Sequence, residues 1–316
     1  GPLAGRLLTT QGRFLRPGLY FYCFLFAGAG RKRWLCRGEC GEGVLLEQRG
    51  DLWQQTVYDP AAVPPEGCGG IYYQIFPDRF ASSGQYLGRL PEGGRLHRDW
   101  GELPEYRPNA EGKIDNLDYF GGDLPGIRAK LDYLAGLGVT TVYLNPIFEA
   151  RSNHRYNTAD YETIDPLLGD EADFASLAKD AAGRGIRLML DGVFSHTGSD
   201  SRYFNREGHY GPGGAWRDPE SPYAGWYRID RASGRYDCWW GFETLPNVNE
   251  EHPGYLEYLC GEQGVLAKWM ALGAGGWRLD VADELPDGFL DAVWRRVKAQ
   301  DPAAPVIGEV WEDASN

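Results

Sequence analysis

Arg278-Leu279-Asp280 closes an apolar run that begins at Gly276-Trp277. In a strand, side chains alternate between faces, so Arg278 and Asp280 point one way and Leu279 the other. A guanidinium beside a carboxylate favours its ionised form, and an ionised, fixed carboxylate is what a covalent nucleophile requires. The pair alone could equally be a structural ion pair at a strand end. Two further carboxylates occupy similar positions: Asp191, followed by Gly-Val-Phe-Ser195-His196, and Glu309, preceded by Val306-Ile307-Gly308. Three acids at the ends of apolar runs, with a basic residue among them, suit glycosidic bond cleavage.

These residues need strands that end together. Apolar runs at 71–75, 139–144, 186–190, 275–279 and 306–307 read as strands, and 124–136, 171–182, 253–272 and 286–299 as helices. Repeated strand-then-helix units imply an α/β protein with a parallel sheet. Five strands fit either a doubly wound sheet or part of a (β/α)8 TIM-type barrel, since both place active sites at strand C-terminal ends. No G-x-G-x-x-G follows the first strand, which weakens a dinucleotide-binding version.

The segment 192–252 after the third strand is too long for a simple crossover and is rich in Gly, Pro, Tyr and Trp, including Trp239 and Trp240. Such a loop subdomain is usually functional. Its aromatics could stack on sugar rings or pack a small core of their own.

The 316 residues include 42% hydrophobic and 24% charged side chains, enough for a full core and more than one average domain. A net charge of −13 argues against nucleic-acid or anionic-membrane partners. Residues 1–50 nevertheless carry eight basic and three acidic side chains, which sets them apart. Their short aromatic and β-branched runs (19–26, 34–37, 43–48) read as a partial N-terminal β-sandwich spanning 1–66, with 19–30 as a buried strand. The Pro-rich stretch 59–67 reads as a linker to a catalytic region spanning 67–316. No segment reaches the roughly 18 apolar residues of a membrane span. Six scattered cysteines without paired zinc spacing read as reduced thiols in a cytoplasmic protein.

Six stretches in order resemble the signature regions of the α-amylase family of glycoside hydrolases, in its neopullulanase and cyclomaltodextrinase branch. They are Tyr73-Gln74-Ile75-Phe76-Pro77-Asp78-Arg79-Phe80, Ser152-Asn153-His154-Arg155-Tyr156-Asn157-Thr158-Ala159-Asp160-Tyr161, Asp191–His196, Leu245-Pro246-Asn247-Val248-Asn249, Gly276–Glu284 and Val306–Trp311. The resemblance implies a barrel containing strands 1–5 only, so that the chain is a fragment of a longer enzyme. It assigns Asp280 as nucleophile, Glu309 as general acid/base, and Arg278 as the residue holding Asp280 ionised. Tyr156, His154, Asp191 and His196 become substrate-binding residues, and Trp240 joins them from the long loop. The implied reaction is retaining hydrolysis of α-1,4-glucans through a covalent glycosyl-enzyme, with carboxyl groups about 5–5.5 Å apart. Glu309 should then be buried or face an acidic neighbour, so that it keeps its proton.

The sequence departs from the family at Ser195 (usually Asn) and Asn157 (usually Asp in this branch). Relatives bind calcium after the first-strand motif, but Ala81–Tyr86 offers few hard oxygens, although Gly122 and Asp123 match the other half. The expectation is no metal and no cofactor, a glucan oligosaccharide as partner, and a homodimer for the parent enzyme. The competing readings are a non-catalytic carbohydrate- or partner-binding relative, and a metal-dependent hydrolase using Asp191, His196 and Glu309.

Overall fold

The computed structural model describes residues 12–14, 16–28, 30–59 and 69–311, which fall into two units, one within residues 1–63 and one within 64–311. The linker expected at 59–67, and the boundary at 66/67, lie almost wholly outside the described residues.

The first unit holds strands β1 (Gly18–Tyr22), β2 (Phe24–Gly28), β3 (Arg31–Arg37), β4 (Gly43–Leu46) and β5 (Trp53–Val57). β1 pairs with β5, and β2-β3-β4 form an antiparallel meander. The expected buried strand at 19–30 is corrected here in two respects. It breaks at Cys23 into strands of two different sheets. Its side chains are also largely exposed, Leu19 and Phe21 each at 59%. Sheets of two and three strands bury little of either face, so apolar content alone does not make a strand internal here. Trp53 ties the two sheets, its ring 5.7 Å from Tyr22 and 6.0 Å from Phe24.

The second unit runs β6 (Ile71–Ile75), β7 (Arg95–Leu96), β8 (Asp118–Tyr119), α1 (Leu124–Ala129), α2 (Leu131–Gly136), β9 (Val139–Leu144), β10 (Phe148–Glu149), β11 (Asp160–Ile164), α3 (Glu171–Ala182) and β12 (Arg187–Gly192). It continues with β13 (Ile229–Asp230), β14 (Arg235–Tyr236), α4 (Pro253–Cys260), α5 (Val265–Ala271), β15 (Gly276–Leu279), α6 (Asp287–Gln300) and β16 (Val306–Gly308). All five strands expected from sequence join one parallel sheet in the order β16-β15-β12-β9-β6. A doubly wound sheet reverses its strand order at a switch point; this sheet never reverses. The order is that of an incomplete TIM-type barrel.

Two expected helices are each split. The run 124–136 divides at Lys130, which caps both α1 and α2. The run 253–272 divides between Cys260 and Val265, where a Cβ on Gly261 would lie 2.3 Å from the Glu257 carbonyl oxygen. Alternation along the strands sets the two faces of the sheet. Val142, Leu144, Leu188, Leu190, Trp277 and Leu279 join Leu131, Phe174, Leu177, Trp269, Phe289 and Val293 from the helices in one apolar core. The residues between them in sequence (Tyr143, Asn145, Asp191, Arg278, Asp280) face the other way, which gathers the polar groups on one side at the C-terminal ends.

No helix among the described residues is long and apolar enough to cross a membrane. Within the core, Trp269 is fully buried and its indole N–H donates to the Tyr161 carbonyl at 2.8 Å. Trp269→Ala should destabilise the second unit by about 3–5 kcal/mol, because it opens a cavity and orphans that carbonyl; urea unfolding followed by far-UV circular dichroism measures it.

Candidate active site

Arg278 is the centre of the polar face. Its Nη1 donates to Asp191 Oδ1 and Asp280 Oδ1, both at 2.7 Å, and its Nη2 lies 2.7 Å from Glu309 Oε2. Register explains the convergence. Asp191 on β12 stands opposite Arg278, and Arg278 stands opposite Ile307 on β16, so Glu309, two residues further, returns to the same face. Glu309 is further fixed because its Oε2 accepts from the Val281 backbone N–H at 3.1 Å, and its own N–H donates to the Leu279 carbonyl at 2.9 Å. Val281 adopts φ 41°, ψ 51°, a left-handed conformation that a β-branched residue strongly resists. This backbone reversal directly after Asp280 aims the Val281 N–H at Glu309.

Asp191 is saturated. Besides Arg278, its Oδ2 accepts from Tyr143, and from Tyr156 at 3.0 Å. Behind these, Asn145 Nδ2 donates to the Tyr156 hydroxyl at 2.9 Å, and Gln74 Nε2 donates to Asn145 Oδ1 at 2.9 Å. A relay of hydrogen bonds thus runs from β6 across β9 to β12. The guanidinium of Arg278 also sits 5.7 Å from the Tyr143 ring centroid. Tyr143 is a site residue absent from those expected from sequence. A signal for it exists, since it stands two positions before Asn145 and hence on the same face, but a strand tyrosine reads as core.

The charges do not fall as the motifs alone suggest. Asp280 is pushed up to about 7: burial is the main cause, the Asp191 carboxylate adds to it, and Arg278 only partly opposes them. Arg278 acts in the expected direction, drawing Asp280 down, but one guanidinium shared among three carboxylates only partly offsets burial. The expectation for Glu309 is met in part. Asp280 is its acidic neighbour across Arg278, but the Glu309 side chain is 32% exposed and carries its own contact with the arginine.

His196 and His154 flank Tyr156. His196 Nε2 lies 3.1 Å from the Tyr156 carbonyl oxygen and Nδ1 lies 3.0 Å from Ser195 Oγ. The carbonyl can only accept, so Nε2 carries the proton and Nδ1 accepts from the serine. Ser195 thereby occupies the ring nitrogen, and burial pushes the imidazole down to about 4. With both nitrogens engaged, His196 has no lone pair for a metal, which counts against the metal-dependent reading. His154 Nδ1 accepts from the Tyr156 N–H at 3.1 Å, and its ring, also pushed down to about 4 by burial and then by Arg155, stacks beside Tyr156.

The long loop packs a small core of its own and also leaves aromatic rings exposed. Trp226 and Tyr227 are buried among Tyr203, Phe204 and Tyr255. Trp239 and Trp240 stack on each other at the site's edge, with Trp240 65% exposed. Their indole N–H groups donate to the two oxygens of Glu284 at 3.0 and 2.9 Å, Trp239 lies 5.7 Å from His196, and Trp311 meets Trp240 edge-on at 5.5 Å.

The half-matched calcium motif does not fit a cation. The carboxylate of Asp123 accepts from Gly126 N, Ser83 N and Ser83 Oγ, and that of Asp78 from the Phe120 and Gly121 N–H groups. Donors fill the places a metal would need. Asn157 Oδ1 is taken by the Ser152 hydroxyl.

A parallel sheet wound in one direction, with an arginine and three carboxylates on one face at its C-terminal ends, is the arrangement of a (β/α)-barrel enzyme. The chain belongs to the alpha-amylase family: the model of its catalytic domain ("Alpha amylase, catalytic domain") matches residues 74–314. It is 42% identical to the amylopullulanase of Thermoanaerobacterium saccharolyticum over 87% of this chain and 24% of that protein. It is 36% identical to neopullulanase 2 of Thermoactinomyces vulgaris over 78% and 39%. Among solved structures, the type III pullulan hydrolase from Thermococcus kodakarensis superposes with a TM-score of 0.66 at 30% identity, over 89% of this chain and 50% of that one. The chain thus spans between a quarter and half of the length of these relatives.

The raised Asp280 has a consequence for stability. Above its ordinary value of 3.8 the unfolded chain releases the proton that the folded chain keeps up to about 7, so folding loses stability across that interval and not below it. Asp280→Asn removes the penalty. Relative to the parent, the variant should gain about 2–4 kcal/mol between pH 4 and pH 8, measured by urea unfolding at each pH; a difference that is flat with pH would refute the shift.

Proposed function

We propose that this chain carries the catalytic half-site of a retaining α-glycoside hydrolase acting on α-1,4-glucans such as maltooligosaccharides, cyclomaltodextrins and pullulan. The supporting observation is the single guanidinium that holds Asp280 and Glu309 through separate amino groups at the ends of adjacent strands. In this reading Asp280 attacks the anomeric carbon while Glu309, the more exposed of the two, protonates the departing glycosidic oxygen. Glu309 then deprotonates the water, or the sugar hydroxyl, that resolves the glycosyl-enzyme. Two carboxyl groups in different protonation states are required, so the reaction needs the proton on Glu309 and Asp280 ionised. Burial and the Asp191 carboxylate favour a proton on Asp280, and Arg278, which touches both acids, opposes that. Tyr156 and His154 offer ring surface to the sugar being cleaved, and Asp191 and His196 hold Tyr156 in place. Trp240 offers an exposed ring to the sugar beyond the scissile bond. Pullulan and cyclodextrins enter through the relatives, among which are proteins named as a pullulan hydrolase, a neopullulanase and a cyclomaltodextrinase.

Free thiols at Cys23, Cys36, Cys40, Cys238 and Cys260 support a reducing, cytoplasmic setting.

The test is cleavage of maltotriose and γ-cyclodextrin by the protein containing this chain, with the anomer of the first product read by NMR. The α-anomer is expected. Glu309→Gln should lower kcat by about 10²–10⁴, and azide should restore turnover to an Asp280→Gly variant, giving a glycosyl azide of inverted configuration. Undiminished activity in Asp280→Asn, or a β-anomeric first product, would overturn the assignment.

A further inference from the structure

A second concavity lies outside the Arg278 cluster and shares no lining residue with it. It has a volume of about 410 Å³ and is lined by Asp160, Arg202, Tyr210, Gly213, Asp218 and Tyr223, among others. This is within the size range of ligand pockets, and it combines aromatic walls with a few polar groups. The chemistry of those groups narrows the ligand. Arg202 pairs with Asp160 at 2.9 Å and with Glu162 at 3.2 Å, both through Nη1, so its charge is already balanced while Nη2 remains a donor for a ligand. Asp218 uses Oδ1 to accept from the Glu220 N–H, leaving Oδ2 as an acceptor. Tyr210 is anchored by its hydroxyl to Glu149 at 3.1 Å, and Tyr223 packs edge-on against Tyr203 and Trp226. Both rings are therefore held in place. A pocket with more carboxylate than guanidinium rejects phosphates and other anions. Free acceptors and donors between fixed rings suit a neutral ligand with hydroxyl groups on one edge and C–H groups on its faces.

We propose that this pocket is a second, non-catalytic binding site for one or two sugar units of a neutral oligosaccharide; the choice of glucan as the sugar rests on the function proposed above. The site holds a distant part of a long chain, or a second chain, while the Arg278 cluster engages the bond to be cleaved.

Gly213 gives a way to close it. A Cβ at this position meets no atom within 4 Å, and its backbone is not in the left-handed region, so a larger side chain enters open space without strain. In an Asp280→Asn background, which prevents turnover, maltotriose binding is followed by calorimetry and by the amide shifts of Gly213 and Tyr223. Gly213→Phe is expected to weaken the affinity reported by those amides at least tenfold, while Gly213→Ser leaves it within twofold. Amide shifts that do not respond to maltotriose in the unblocked chain would overturn the proposal even if Gly213→Phe fails to fold. Binding abolished by Tyr156→Ala with Trp240→Ala, and unaffected by Gly213→Phe, would overturn the second site while leaving the proposed hydrolase standing. Cleavage of γ-cyclodextrin, assayed separately, reports on that function alone.

Discussion

One guanidinium among three carboxylates is the interaction on which the site depends. Arg278 reaches Asp191, Asp280 and Glu309 at 2.7 Å each, and it can do so only because β12, β15 and β16 lie side by side in parallel register. A slip of one residue in any of them would turn a carboxylate into the apolar core. Burial, and after it the Asp191 carboxylate, raise the proton affinity of Asp280, and an arginine shared among three acids only partly opposes them. Asp191 is buried deeper, and burial pushes it up as well, but the two tyrosine hydroxyls join Arg278 in opposing that rise.

The apolar side of the sheet makes that precision possible. Trp277 and Leu279, which flank Arg278, are fully enclosed by helices, as are Leu188 and Leu190 beside Asp191. Large side chains in a close-packed core have little freedom to shift, so the opposite face inherits fixed positions for its polar groups. The strained Val281 belongs to the same construction. Its left-handed backbone persists because Asp280 on one side and the Ala282–Glu309 backbone hydrogen bond on the other leave it no alternative.

Much of this is legible in the amino-acid order. Asp191, Arg278, Asp280 and Glu309 stand at the ends of apolar runs, and the strand period of two is enough to place Arg278 and Asp280 together. The five strands are legible for the same reason. What escapes depends on tertiary context. Tyr143 looks like core until Asp191 is seen across from it. The break at Lys130 has no glycine or proline to announce it, whereas Gly261 and Gly264 do announce the break between α4 and α5 and are outweighed by the apolar pattern around them. The balance of charge at Asp280 cannot be read from Arg278 alone, because it depends on burial and on a carboxylate 89 residues earlier in the chain.

The strand order also has a temporal meaning. Each strand of the sheet lies beside the one before it in sequence, so a chain emerging from the ribosome always finds its next partner already made. Growth can proceed by addition at one edge, without waiting for segments still to be synthesised. Glu309 directly follows β16, the latest strand of the series. The nascent chain therefore holds Arg278 and Asp280 before it possesses Glu309, and the cluster of one guanidinium and three carboxylates is incomplete until that strand has been added.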